Sequence, residues 1–432
     1  MRNAEAAGTA ARLPSKRRLF LMIGGLTLFG PLCIDMYLPS LPRLTRDLHA
    51  SASSVQFSLT TCLIGLALGQ VLIGPASDRY GRRRPLLGGL VLFVLASLAC
   101  SMATSAPMLA SLRLFQGIGG AAGIVVGRAI VRDLYSGTAA ARFFATLMLV
   151  TGAGPVLAPQ IGAGLLELTS WRGVFLVLCI AGTLLLAMAA FRLPETLPPE
   201  RRDPSGGVTA TLLSMRRVGT NPVFLANALA AGIGFGSIFA YVSGSSFLIE
   251  NIYGLSPSMF GLLFAVNGVG LVAAGQLSAR YVGRFGASRL LTAGLLTMAV
   301  AGVSFLFMVV TGFGGLAGVL PFLFLAMCSN GLSAPNAMAL AMNDFPDAAG
   351  SASALLGVLQ FGVGALVAPL VGIGGKADAT PMAVIMALSG VLAITVRVAL
   401  MRSANPVAAP VSASASASAS ASAEGAGVLA AD

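Results

Sequence analysis

The residues able to do chemistry in this chain are charges in unusual surroundings. Asp35 is the only acid deep within any of the long apolar stretches, the first of which runs over 19–41. A carboxylate in hydrocarbon is costly and is usually retained to handle protons or cations, or to recognise substrate charge. Arg113 lies within another such stretch, 107–131. Asp35 is six residues before Leu41 and Arg113 six after Pro107, so at about 1.5 Å per helical residue both are expected roughly 9 Å below the same interface. If both face one cavity, an arginine that approaches and leaves the carboxylate could make it release and take up a proton in turn. The alternatives are an Arg113 that snorkels to headgroups and an Asp35 left in the wet interface by an early helix end at Pro39. A third group is the run Gly74-Pro75-Ala76-Ser77-Asp78-Arg79-Tyr80-Gly81-Arg82-Arg83-Arg84. There Asp78 could pair with arginines or cap a helix end, forming a gate, or the arginines could simply anchor topology.

The elements that must hold these groups follow from composition. With 56% apolar and 10% charged residues in 432, and mean hydropathy +0.88, the chain is a polytopic membrane protein. Crossing about 30 Å of hydrocarbon takes roughly 20 apolar residues. Such stretches occur at 19–41, 55–76, 85–104, 107–131, 139–168 and 171–191, then at 223–249, 257–278, 290–311, 315–342, 349–374 and 381–400, predicting twelve helices. Nothing alternates like the strands of a membrane barrel.

An even number of spans puts both termini on one side. Of the 27 Lys and Arg, only Arg43, Arg46, Arg172 and Lys376 fall on the far side, with Arg113 inside a span, so both termini are expected to be cytoplasmic. The net charge of +12 then reflects topology, and no nucleic-acid partner is expected. The stretch from Leu19 is too long for a signal-peptide core and lacks a clear cleavage site, so it reads as an uncleaved first helix. Cys33, Cys62, Cys100, Cys179 and Cys328 are scattered through the spans and read as packing residues. His49 is the sole histidine and acids are not clustered, so neither a metal site, a cofactor nor a catalytic triad is expected, and the chain does not read as an enzyme. The phosphate loop of an ATP-driven pump is missing, since Leu370 and Ala377 stand where that motif around Lys376 needs Gly and Ser or Thr. Trp171 reads as an interfacial anchor.

The polar interval near 193–221 divides the chain into two sets of six stretches that faintly echo each other. Gly69-Gln70 followed by Arg79-Tyr80-Gly81 is matched by Gly275-Gln276 followed by Arg284-Phe285-Gly286. Arg132-Asp133-Leu134 with Ala158-Pro159-Gln160-Ile161-Gly162 is matched by Asn343-Asp344-Phe345 with Ala368-Pro369-Leu370-Val371-Gly372. Two parallel six-helix repeats with a site near the midplane is one way secondary transporters are built. The expected organisation is a basic cytoplasmic tail 1–18, a six-helix half 19–192, a cytoplasmic loop 193–220, a second half 221–401 and a disordered Ser/Ala-rich tail 402–432.

On these motifs the chain resembles the major facilitator superfamily. The run from Gly74 is similar to that family's loop between helices 2 and 3, departing from it at Pro75-Ala76; the resemblance implies a cytoplasmic gate of Gly74, Asp78, Arg79, Gly81, Arg82 and Arg83. Arg113-Leu114-Phe115-Gln116-Gly117 resembles the helix 4 motif, whose Arg is associated with proton coupling. Gly152, Gly154, Pro155, Pro159 and Gly162 resemble the helix 5 motif of the antiporter branch, although small residues and two prolines also suit close packing and a bend. The segment 31–42, Pro-Leu-Cys-Ile-Asp-Met-Tyr-Leu-Pro-Ser-Leu-Pro, and Leu193-Pro194-Glu195-Thr196-Leu197 resemble the Bcr/CflA drug-resistance exporters. The resemblance implies a proton-coupled antiporter of the cell inner membrane that exports drugs or similar small molecules, with Asp35 and Arg113 coupling the proton. Met36, Tyr37, Phe235, Phe239, Tyr241, Asn330 and Phe361 are the expected pocket residues, since Met and aromatics repack around varied ligands. The expected partners are a small-molecule substrate, protons and the bilayer, and a monomer is expected. Export of a natural metabolite, or proton-coupled uptake, is the other reading of the same frame.

Overall fold

The computed structural model describes residues 16–135, 137–202, 207–345, 349–375 and 377–404. The expected tails therefore lie largely outside the described residues. Every regular element among the described residues is helical. In chain order they are α1 (Lys16–Asp35), a 3₁₀ turn (Leu38–Ser40), α2 (Leu41–Asp47), α3 (Ala52–Tyr80), α4 (Arg83–Ser101), α5 (Ala106–Leu134), α6 (Gly137–Leu168) and α7 (Trp171–Arg192). A 3₁₀ turn (Pro199–Arg201), α8 (Val208–Gly219), α9 (Pro222–Ser246), a π-helical turn (Phe247–Ile252), α10 (Pro257–Phe285), α11 (Ala287–Thr311), α12 (Gly315–Met342), α13 (Ala349–Val371), a 3₁₀ turn (Gly372–Gly374) and α14 (Thr380–Ala404) follow.

Eleven helices among the described residues are long and apolar enough to cross a membrane. A further long helix, the 32-residue α6, packs against α1 and α10. The starts of several helices are written locally in the sequence. Ser51, Ser105 and Ser256 each accept a hydrogen bond from the backbone N–H three residues on, and Asn221 does the same for Phe224. Pro107, Pro222 and Pro257 stand in the first turn, where their missing N–H costs nothing. Small residues let the helices approach closely: a Cβ at Gly117 would lie 2.2 Å from the carbonyl oxygen of Cys62, so α5 and α3 touch backbone to backbone.

The first span does not end near Leu41. Its α-helix stops at Asp35, turns through Met36 and Tyr37, and resumes with Pro39 and Pro42 in the first turns of the next two short helices, so the helical path runs on to Asp47 although the apolar run ends near Pro42. The candidate span that opens at Pro222 likewise runs past Ile249 to Ile252. The interval 193–221 is not simply a loop, because it carries α8, whose Met215 and Val218 are buried. Trp171 is no interfacial anchor; it is fully buried and donates its indole N–H to Asp47 Oδ2 at 3.0 Å.

The first six long helices and the last six meet along α3 with α13 and α6 with α10. Among the described residues four side-chain hydrogen bonds join these two sets. Ser53 donates to the Pro369 carbonyl at 3.1 Å, Gln56 to Ser243 at 2.9 Å, Thr60 to Ala365 at 2.8 Å, and Ser258 to Glu167. All four lie at the end of the bundle away from the chain termini, here termed the distal end.

Candidate functional site

A cavity of about 260 Å³ lies between the two sets of helices. Pro31, Ile34 and Asp35 of α1, Ile124 of α5 and Pro155 of α6 line one side; Phe235, Phe239 and Tyr241 of α9, Phe264 and Asn267 of α10, Met327 of α12 and Phe361 of α13 line the other. Phe235 packs against Phe239 at 5.0 Å and Phe361 at 5.7 Å between ring centroids, while Tyr241 stacks on Phe264 at 4.9 Å. The Tyr241 hydroxyl accepts from Asn267 Nδ2 at 2.8 Å, so that amide is already engaged. Among the described residues Asp35 is the sole charged side chain on this surface. It is 6% exposed and forms no hydrogen bond or ion pair among the described residues, so its carboxylate is free to meet whatever enters.

The break in the first span positions it. Asp35 closes α1, immediately before the turn through Met36 and Tyr37. α6 holds the break from behind: a Cβ at Gly162 would lie 2.1 Å from the Met36 carbonyl oxygen, and one at Gly154 would lie 2.9 Å from Pro31. Gly152 faces Val272 of α10, while Pro155 reaches the cavity and Pro159 lies within the same helix.

Arg113 lies close to α1 but does not line the cavity or pair with Asp35. It is fully buried within the first set of helices, where Nη1 donates to the Cys33 carbonyl at 2.8 Å and to Gln116 Oε1 at 2.7 Å. Gln116 passes the chain on to Ser97 at 2.8 Å. The guanidinium lies 4.9 Å from the Tyr37 ring and 5.8 Å from Phe175, so aromatic faces rather than a carboxylate offset its charge. Its Nε and Nη2 remain buried without a partner. Cys33 and Cys62 pack beside it with their sulfurs 4.0 Å apart.

At the other end of the bundle the run from Gly74 forms a charged knot. Arg82 donates from Nε and Nη2 to both oxygens of Asp133, at 2.8 and 3.2 Å, and from Nη1 to Asp78 and to Ser77 Oγ. Burial alone would lower the pKa of Arg82, but the hydrogen bonds to Asp133 and Asp78 hold it above its ordinary value and keep it charged. Glu195 accepts from the backbone N–H groups of Arg82 at 2.8 Å and Arg83 at 3.2 Å, placing a carboxylate at the start of α4 where the helix dipole favours it. Thr196 donates to Asp133, Arg83 to the Ala190 carbonyl at 2.6 Å, and Arg79 lies 5.4 Å from the Tyr80 ring. Gly81 turns the chain with φ +88°, and a Cβ there would lie 2.4 Å from Glu195 Oε2.

The chain matches the Major Facilitator Superfamily over residues 21–369. It belongs to that family. It is 41% identical over 381 residues to the uncharacterised MFS-type transporter YdgK of Bacillus subtilis, covering 87% of this chain and 94% of that protein. It is 31% identical over 379 residues to a bicyclomycin resistance protein homolog of Haemophilus influenzae, with the same 87% and 94% coverage. It is also 31% identical to a chloramphenicol resistance protein of Pseudomonas aeruginosa, covering 81% of this chain and 83% of that protein. Among solved structures, a bacterial homolog of the lysosomal transporter spinster superposes with TM-score 0.72 at 17% identity, covering 90% of this chain and 98% of the other. The chain is thus a multi-pass major facilitator transporter with drug-resistance relatives.

In this major facilitator protein four of the expected pocket residues, Phe235, Phe239, Tyr241 and Phe361, line the cavity. Tyr37 instead packs on Phe175 at 5.4 Å and shares a 2.9 Å hydrogen bond with Ser58; Met36 is buried behind the break; Asn330 donates to the Ala326 carbonyl within its own helix. Asn267 went unassigned, although an amide inside an apolar stretch is a milder form of the signal that marks Asp35. Glu195 and Asp133 stand in motifs visible in the sequence, yet only folding brings them to Arg82.

Proposed function

We propose that this protein is a proton-coupled exporter of drugs or other small amphipathic molecules, working by alternating access. The observation that carries this reading is Asp35, one unbonded carboxylate on a mostly apolar and aromatic cavity between the two helical sets. The walls suit varied lipophilic cargo, and the single acid can hold either a proton or the substrate's polar end, so the two compete. Arg113 would assist: its unpartnered Nε and Nη2 can take the Asp35 carboxylate when α1 shifts, favouring proton release. The drug-resistance relatives and the small residues of α6 support export over uptake. The same reading takes twelve spans, counting α6, two six-helix halves and both termini in the cytoplasm of a bacterial cell, with the protein acting as a monomer in the inner membrane. The distal end then faces outward, and the four hydrogen bonds there favour a state shut to the outside.

The test is a drug-susceptibility panel on overexpressing cells, with and without protonophore, alongside Asp35→Asn. Protonophore-sensitive resistance to at least one compound, lost in Asp35→Asn with membrane levels unchanged, is expected. Uphill transport that persists in Asp35→Asn rejects the coupling role, and no resistance to any compound turns the reading toward a natural metabolite.

A further inference from the structure

The helix α8 lies across the terminal end of the bundle and has two unlike faces. One is packed: Met215 and Val218 are buried, and Val218 joins an apolar cluster with Phe224 of α9, Ala341 of α12 and Leu356 of α13. A Cβ at Gly219 would lie 3.4 Å from Leu355 Cδ2, so the end of the helix is seated on α13. α8 also touches α3. Since α3 and α13 form one lateral seam between the two sets of helices, α8 rests on that seam with its other face turned away from the bundle. α9 begins at Pro222, three residues beyond Gly219, which keeps the last turn of α8 at the level where the next span starts. The outward face carries Thr209, Leu212, Leu213, Arg216 and Arg217, all exposed, at the three- and four-residue spacing of one helical stripe. Leu212 and Leu213 are 50% and 61% exposed, as much as outward leucines of the spans such as Leu296 at 51% and Leu184 at 66%. α8 contains no acidic residue, and among the described residues neither arginine is in an ion pair.

We propose that the outward face of α8 docks on the membrane surface and binds anionic phospholipid headgroups, with Arg216 and Arg217 on the phosphates and Leu212 and Leu213 among the upper acyl chains. Charge complementarity and depth both support this occupant. An arginine close to an anionic bilayer surface favours it roughly five-fold over an uncharged one, and two act together. Their long stems let the leucines one turn earlier sink while the guanidiniums stay with the headgroups. Cations in a last helical turn also complement the helix dipole, but that role asks for no exposed leucines beside them. A face built for water would carry polar residues at 212 and 213, and so would one built to hold a soluble anion.

The docking depends on neither the substrate nor the proton step, so its test uses neither. In the full-length chain Cys179 and Cys328, the two cysteines that are not fully buried, are replaced by serine, and Thr209→Cys on the same stripe carries a bimane fluorophore. The protein is placed in nanodiscs of phosphatidylcholine alone or with one-third phosphatidylglycerol, each containing the same share of lipid brominated near the top of its acyl chains. Both leaflets then match, so the orientation of the chain does not enter. Bromine quenching of the bimane is expected to be at least two-fold stronger with phosphatidylglycerol, and the difference should shrink in high salt. Arg216→Gln with Arg217→Gln should abolish the difference, and Arg216→Lys with Arg217→Lys should keep it. Leu212→Ser with Leu213→Ser should lower quenching in both lipid mixtures. All these side chains are exposed, and a parental unfolding temperature in detergent checks that each variant is folded. Equal quenching of the parent in the two mixtures overturns the proposal, as does a difference that survives in the glutamine variant. Unchanged quenching in the serine variant overturns the seating of the leucines. Inorganic phosphate added at constant ionic strength should leave the difference intact; its disappearance would make this a site for a soluble anion and overturn the lipid assignment.

Discussion

Two loops at the terminal end of the bundle share a backbone and differ in chemistry. Between α3 and α4 the chain turns on Gly81 at φ +88°, and between α10 and α11 on Gly286 at φ +80°. In each, the arginine two residues before the glycine lies 5.4 Å from the aromatic ring that follows it, Arg79 on Tyr80 and Arg284 on Phe285. The faint echo in the sequence is therefore an echo in geometry. Beyond that the loops part. Around Gly81, Asp78, Asp133 and Glu195 gather on Arg82 and on the start of α4. Around Gly286 no atom lies within 4 Å of a Cβ position, and the nearby buried cation, Arg397, is held by neutral oxygens of Ser288, Thr292 and Asn227 at 2.8, 2.8 and 3.2 Å. Both turns use glycine because an L side chain resists that φ. Among the described residues only the first of the two loops gathers paired acids and bases.

The contrast can be broken most severely at Arg82. Arg82→Ala leaves Asp78 and Asp133 without their shared partner and should cost roughly 1–3 kcal/mol of stability, read as a lower thermal unfolding temperature in detergent, with a large loss of transport. Gly81→Ala comes next, since it combines an unfavourable φ with a collision against Glu195; it should lower the unfolding temperature clearly more than Gly286→Ala, which meets only the φ penalty. Glu195→Gln keeps the shape but removes the charge from the start of α4, with an expected cost of about 0.3–1 kcal/mol that shrinks in high salt. Arg284→Ala should change stability by no more than about 0.5 kcal/mol. Were Arg284→Ala as damaging as Arg82→Ala, the two loops would be equivalent after all.

Much of this could be read directly. Apolar stretches long enough to span hydrocarbon have few other uses, so the helices were legible as elements, and Asp35 was legible because its cost demands a purpose. Phe235, Phe239, Tyr241 and Phe361 line the cavity, yet Met36 and Tyr37 turned away from it. The reason is the break after Asp35: hydropathy sees one apolar run through it and carries no record of the change in helix type. The same blindness ended the seventh span at Ile249 and left Glu250 outside it, because a charge lowers hydropathy whether or not the helix continues.

The sequence by itself thus determined the class of protein, the membrane-spanning elements, the glycine turns and the costly acid, since these depend on local composition and on single-residue conformational limits. Only the tertiary structure decided that Arg113 is sheathed in aromatic rings and bonded to the Cys33 carbonyl while Asp35 faces the cavity. It alone brought Asp133 and Glu195, 51 and 113 residues away along the chain, onto Arg82. Partners that far apart in sequence are chosen by how helices pack, and the side a residue faces is set by every turn and break before it.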